Sequence, residues 1–236
     1  MAGDPEGMTQ VTWVPLESNP EVMTKFLHKT GVPTKWELTD VYGLDPELLA
    51  MVPKPVIALI LLYPISPKSE SYKAELEEKE KAKGVTNGKV YHLAQYVSNA
   101  CGTIALIHSV ANKLDQIKLE DGEMKKFLDE TKDMTSEERG AALIKAEGIG
   151  DTHKDLAQEG QTEVPGENVK VYHHFVALIE RDGCIYELDG RKPFPINHGP
   201  SSPETFLEDA AKVCKEYMQQ DPDEVGFTMI ALAVKE

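Results

Sequence analysis

Gln95-Tyr-Val-Ser-Asn-Ala-Cys-Gly-Thr-Ile-Ala-Leu-Ile-His108 is the stretch on which the reading of this chain turns. Ala100, Ile104, Ile107, Ala111 and Leu114 recur at steps of three and four, so the pattern predicts a helix from Ser98 to Leu114. Ala105, Leu106 and Val110 are apolar off that stripe, which predicts burial on more than one side, near the middle of a core. Cys101 falls one turn into this helix, where the positive end of the helix dipole favours a thiolate. Gly102 leaves the backbone open to close approach. Two readings compete for Cys101, an inert buried thiol and a nucleophile.

A nucleophilic cysteine needs a base. His108 lies seven residues on, nearly on the same face, but seven residues rise roughly 10 Å, too far for direct proton transfer. His173 and His174 sit in a β-rich run, Val171 to Glu180, and adjacent strand residues point to opposite faces. Asp182-Gly183 is a hairpin turn signal, and Cys184 to Asp189 is the return strand. A two-residue turn pairs Arg181 with Cys184 and sets Val176 opposite Asp189. His174 and Asp189 are then diagonal neighbours on one face, roughly 7–8 Å apart at the backbone. A carboxylate there would orient the imidazole and stabilise its charged form. A three-residue loop would put Asp189 on the other face, so the register stays open between these two. Gln95, just ahead of the helix, has an amide able to donate to an oxyanion formed at Cys101.

The remaining chain reads as one unit, residues 1–236. Asn19-Pro20-Glu21 opens a short helix from Pro20 to Lys29. Val56 to Tyr63, bounded by Pro55 and Pro64, is a buried strand. Ser69 to Lys83 reads as a solvated helix with Glu75–Lys79 and Glu77–Lys81 pairs. Lys125 to Leu128 and Ser136 to Ala146 are helical, with Ser136 as a cap. From Thr152 to Lys170 both periodicities vanish, which predicts a long crossing loop. Ser202-Pro203-Glu204 starts a helix to about Gln219, and Phe227 to Val234 is a last buried strand. Residues 1–12 read as a loose extension without the basic start and apolar core of a signal peptide.

The chain has 236 residues, and Lys+Arg 25 against Asp+Glu 40 gives a net charge of −15. Such a balance disfavours nucleic acid and would steer a basic partner. The longest apolar run is far short of the roughly 20 residues that span a bilayer, so no membrane partner is expected. Cys101, Cys184 and Cys214 have neither metal-ligand nor redox spacing; a disulfide framework, a metal and a cofactor are not expected, and Cys184 and Cys214 read as core thiols. Free thiols predict a cytoplasmic or nuclear protein.

Taken together, Asn99 to Thr103, His174-Phe-Val-Ala-Leu178, Tyr186 to Lys192, Pro15 to Pro20 and Val41 to Leu49 resemble the short ubiquitin carboxyl-terminal hydrolases, from about Trp13 to Val234. The resemblance implies an α+β fold, an antiparallel sheet flanked by helices with a papain-like catalytic core and a knotted backbone. It implies Cys101 as nucleophile, His174 as base and acid, Asp189 as its orienting residue and Gln95 as oxyanion donor, with ubiquitin, or a relative such as the neddylation modifier, as the partner of a monomer. It turns residues 152–170 into a crossover loop over the site. Ubiquitin-contacting positions map onto Pro15, Leu16, Glu17, Ser18, Asn19 and Pro20. They map also onto Ala157, Gln158, Glu159, Gly160, Gln161, Thr162, Glu163 and Val164 of the loop, and onto Glu224 and Val225. Gly226 departs from the larger basic residue familiar in the family. Two other readings use the same residues: a thiol hydrolase acting on small thioesters or amides, and a ubiquitin-binding module with little turnover.

Overall fold

Val56 to Pro64 is apolar at almost every position, and only a strand covered on both faces can bury such a run. It becomes β2, the third strand of a six-stranded antiparallel sheet, in a computed structural model that describes residues 11–84, 90–161 and 171–235. In chain order the elements are α1 (Pro20–Lys29), β1 (Trp36–Asp40), α2 (Pro46–Leu49), β2 (Val56–Pro64), α3 (Pro67–Ala82), α4 (Cys101–Ala111) and α5 (Glu123–Thr131). They continue with α6 (Ser136–Ile144), α7 (Glu147–Leu156), β3 (His173–Arg181), β4 (Cys184–Leu188), β5 (Ile196–Pro200), α8 (Phe206–Gln220) and β6 (Thr228–Val234). The strand order is β1-β6-β2-β3-β4-β5. This is the expected fold class, antiparallel sheet with flanking helices.

Two apolar clusters cover the two faces. Ile60, Phe175, Ala177, Ile179 and Leu188 face α1, α4, α5 and α7, while Leu59, Tyr63, Val176, Leu178 and Ile185 face α8. Alternate residues of each strand serve opposite clusters, as the pleat requires. Helix α4 lies against β2 and β3, and Gly102 to Val110 are all buried. It is the helix buried on several sides that its composition demands.

Several boundaries differ from expectation. Helix α4 begins at Cys101, not Ser98, because Asn99 adopts a left-handed backbone (φ 63°) and its side chain donates to Trp13 O. It ends at Ala111, and Leu114 is exposed. Helix α7 runs through Leu156, so Thr152 to Leu156 of the expected loop are helical, and residues 162–170 of it lie outside the described residues. Its buried face is Ile149, His153 and Leu156, a helical spacing hidden because one of the three is a histidine. Thr135, not Ser136, caps α6 in a reciprocal box with Glu138. Thr205 precedes α8, and Ser202 lies in the turn before it. Residues 11 and 12 are not loose: Ser98 N donates to Val11 O, Thr12 bridges Ser98, and Trp13 N donates to Ser98 O. Residues 1–10 of the expected extension lie outside the described residues. Cys214 is buried as expected, but Cys184 is partly exposed.

Candidate active site

Three elements converge on Cys101. As the first residue of α4, it lies closer to the helix N-terminus than the sequence pattern indicated. Its N–H is among the groups that lack an intrahelical acceptor. Strand β3 supplies His174, and the turn after β4 supplies Asp189. The hairpin has the two-residue register, with Arg181 opposite Cys184 and Ala177 opposite Leu188. His174 is buried and its neighbour His173 is exposed, so the pleat sends them to different surroundings. His174 Nε2 lies 2.7 Å from Asp189 Oδ1. With Nε2 so engaged, Nδ1 is the nitrogen left to act on the Cys101 thiol, whose ionisation His174 favours.

Asp189 is held from several directions. Oδ1 also accepts from Arg191 N at 2.9 Å, and Oδ2 accepts from Lys73 Nζ. Its backbone oxygen accepts from Lys192 N and lies 3.0 Å from His92 Nε2. Gln95 N donates to the next carbonyl, Gly190 O, at 2.7 Å. A Cβ on Gly190 would come within 2.9 Å of Gln95 Cβ, so a glycine lets these segments touch. Gln95 Nε2 donates to Val97 O at 3.0 Å, which fixes the amide and leaves its second N–H available.

The electrostatics favour an ion pair. Burial pushes the Cys101 thiol up, but the hydrogen bond and charge of His174 outweigh it and hold the thiol below its ordinary value. Burial pushes His174 down, and Asp189 more than reverses this, raising it to about 9. Burial works against the Asp189 carboxylate too, yet His174 and Lys73 keep it well below the usual carboxylate range. The three groups therefore favour one another's charged forms: thiolate, imidazolium and carboxylate.

The sequence pattern gave Lys73 no part here. It lies in α3, where the charge-rich sequence predicts a solvated face. The Glu75–Lys79 pair is indeed exposed, at 4.0 Å, whereas in the Glu77–Lys81 pair, at 2.9 Å, Glu77 is partly buried. Ser69, Lys73 and Glu80 are nevertheless buried. Glu187, Tyr217 and His198 join Lys73 behind Asp189. A lysine four residues before a run of Glu and Lys carries no signal of its own. Only Glu187, acidic amid the apolar residues of β4, marks a partner that a buried carboxylate needs.

The other proposed contact positions form one rim. Gln161 N donates to Glu17 Oε2 at 2.8 Å, Lys25 pairs with Glu159 at 3.1 Å, and Ser18 Oγ lies 2.6 Å from Thr228 Oγ1. These contacts tie residues 15–20 to the start of the loop and to the strand that follows Glu224 and Val225. Within the rim Val225 is 92% exposed. Leu16 and Ala157 are core residues, and Asn19 caps α1 with Pro20 in its first turn, so these four do structural work. Pro15, Gln158 and Gly160 remain at the surface or partly so. Thr162, Glu163 and Val164 lie outside the described residues. A Cβ on Gly226 would meet His173 Nε2 at 2.8 Å, so the exposed histidine fills the space a side chain would take. Among the described residues no group of three or more His, Cys, Asp or Glu is placed to hold a metal ion, and no helix is long and apolar enough to cross a membrane.

Known proteins resemble the chain over nearly its whole length. The family described as ubiquitin carboxyl-terminal hydrolase, family 1 matches residues 13–219. A Drosophila melanogaster ubiquitin carboxyl-terminal hydrolase is 51% identical over 223 residues, 94% of this chain and 97% of the relative. Human ubiquitin carboxyl-terminal hydrolase isozyme L1 is 45% identical over 219 residues, 92% of this chain and 96% of the relative. Among solved structures, the Trichinella spiralis UCH37 catalytic domain bound to ubiquitin vinyl methyl ester superposes with a TM-score of 0.73 at 26% identity. That match covers 98% of this chain and 97% of the other.

Proposed function

We propose, from the premise that this chain belongs to ubiquitin carboxyl-terminal hydrolase family 1, that it is a cysteine hydrolase cleaving the bond after the C-terminal glycine of ubiquitin. The observation that carries the reading is the Cys101–His174–Asp189 relay at the N-terminus of a buried helix. The Cys101 thiolate adds to the glycine carbonyl carbon. The oxyanion is met by the Gln95 amide and the Cys101 backbone N–H, and a preorganised donor of this kind is worth about 3 kcal/mol of barrier. His174 gives its Nδ1 proton to the leaving amine or thiol, and the C–N or C–S bond breaks. A water then adds to the thioester, giving its proton back to His174, and the thiolate departs. Asp189 holds the ring in orientation throughout and stabilises its charge. The thiolate works only when unoxidised, which suits a reducing compartment such as cytoplasm or nucleus.

The complete relay favours turnover over a module that merely holds ubiquitin. Release of a fluorophore from the C-terminus of ubiquitin, wild type against Cys101→Ala at matched concentration, tests this. Activity that vanishes in the variant supports the reading; a folded wild type that binds ubiquitin without turnover removes it.

The connection from α7 into β3 leaves from the Glu17 contact and returns at His173, beside the catalytic imidazole. By its likeness to the family, the connection between these two points limits what reaches Cys101, so the leaving groups are small adducts and short or flexible extensions. Intact, isopeptide-linked diubiquitin is then a poor substrate, and its rapid cleavage in a gel assay would overturn the restriction.

A further inference from the structure

We propose that Lys73 is a positioning residue for the catalytic imidazole: its ammonium, shared between Asp189 and Glu187, sets how tightly Asp189 holds the charge on His174. The inference rests on the reading of Cys101, His174 and Asp189 as the reacting set.

Helix α3 buries only Ser69, Lys73 and Glu80, and the Lys73 side chain is 2% exposed. Its Nζ donates to Asp189 Oδ2 and, at 2.8 Å, to Glu187 Oε1. It also lies 5.3 Å from the ring centre of Tyr63 and 5.9 Å from that of Tyr217. Burying an ammonium is costly, and removing one partner of a buried pair costs more than the pair itself contributes. Glu187 is committed in turn, accepting from Tyr217 Oη at 2.8 Å and lying 2.9 Å from His198 Nε2. Two carboxylates therefore share one lysine, and only one of them touches the imidazole.

Several groups face His174 besides Asp189 and Cys101. The Tyr63 ring of β2 meets it edge-on at 5.8 Å. Arg191 follows Asp189 and is paired with Glu70 of α3 at 2.7 Å. Glu187 of β4, His198 of β5 and Tyr217 of α8 lie behind Lys73. His92 and His108 are stacked at 5.2 Å, with His92 on the Asp189 carbonyl oxygen. Burial holds both of these histidines neutral, so they add no charge near neutral pH. Tyr63 and Tyr217 are pushed well above their ordinary range and stay neutral. Lys73, Arg191 and Glu187 are the charges that tune the pair.

The sign of the effect follows. Without the lysine charge, Asp189 acts on His174 alone, and the imidazolium persists to higher pH. Without the Glu187 charge, Lys73 acts more fully on Asp189, and the imidazolium is lost at lower pH. Lys73→Met and Glu187→Gln therefore move the same ionisation in opposite directions, which a loss of packing does not do.

The test is the pH dependence of Cys101 alkylation by iodoacetamide, read on the Cys101 peptide by mass spectrometry to exclude Cys184. It is run beside kcat/KM for a fluorophore on the ubiquitin C-terminus. Alkylation shows an acid inflection where the ion pair forms and an alkaline one where His174 loses its proton. The expected result is an alkaline inflection raised by about one pH unit in Lys73→Met, lowered in Glu187→Gln, and restored in Lys73→Arg. Alkaline inflections that coincide with the wild type in both charge-removing variants overturn the proposal, whatever their thermal stability. If Lys73→Met does not fold, the direction in Glu187→Gln decides. A wild type that alkylates with both inflections yet leaves ubiquitin uncleaved defeats the hydrolase reading alone; normal ubiquitin turnover with unmoved inflections defeats this one alone.

Discussion

At the scale of single residues, Asp189 shows how one side chain joins folding to chemistry. It follows β4, accepts from Arg191 N, ties His174 down and receives Lys73. Replacing it by Asn keeps the shape but lets the amide donate where Nε2–H must donate. Asp189→Asn is expected to lower kcat/KM by roughly 10²–10⁴-fold with little loss of fold, checked by steady-state kinetics and circular dichroism. His174 and Asp189 were legible as a candidate pair because a strand alternates and Asp182-Gly183 offers a two-residue turn, but counting left a second register open until the hairpin was seen. Lys73 was not legible. Its burial depends on where α3 lands against β5 and α8, a tertiary contact that leaves no local pattern. The burial of Leu16 and Ala157 was not legible for the same reason: position in a family's contact segment says nothing about which way a side chain points.

Elements bring the site together through close approaches. Helix α6 lies on the segment that carries Gln95: Ala94 N donates to Ser136 O at 2.9 Å, and a Cβ on Gly140 would sit 2.2 Å from Ala94 O. That obstacle is backbone and cannot step aside. At Gly148 of α7 an added Cβ meets the Glu123 side chain at 2.4 Å, which is flexible and can move. Gly140→Ala is therefore expected to destabilise by about 1–3 kcal/mol and to reduce activity through Gln95. Gly148→Ala should be close to neutral, the displaced Glu123 offset by a helix-propensity gain of up to about 1 kcal/mol. Denaturant unfolding of both variants checks the contrast; equal losses would contradict it. Elements with strong apolar periods, α1, α4, β2 and β6, could be read directly. Short β1, α2 and β5 could not, because four or five residues hold too little periodicity. Helix α7 was hidden by Gly148, Gly150 and His153, which look like a loop until the neighbours that require them are in place.

On the scale of the whole molecule, buried titratable groups set the pH range of the fold. Burial holds His153 down at about 4, despite its bond to Val14 O, and lowers His92 and His108 as well. Such groups stabilise the fold above the unfolded histidine value, near 6.5, and that contribution fades as pH falls through their folded values. For His153 it is on the order of 3 kcal/mol. His174 runs the other way: its contribution is complete below about 6.5 and is lost as pH rises through about 9. Thermal melts should therefore show Tm falling on both sides of neutral pH, and His153→Gln should flatten the acid side. An unchanged acid slope would contradict the assignment. The central claim, that Cys101 attacks the carbon at the end of ubiquitin, is tested most directly by mass spectrometry after incubation with ubiquitin bearing a C-terminal vinyl methyl ester. The account predicts one ubiquitin per chain, bonded at Cys101 and absent in Cys101→Ala. No adduct on the folded wild type, or an adduct at Cys184, would contradict it.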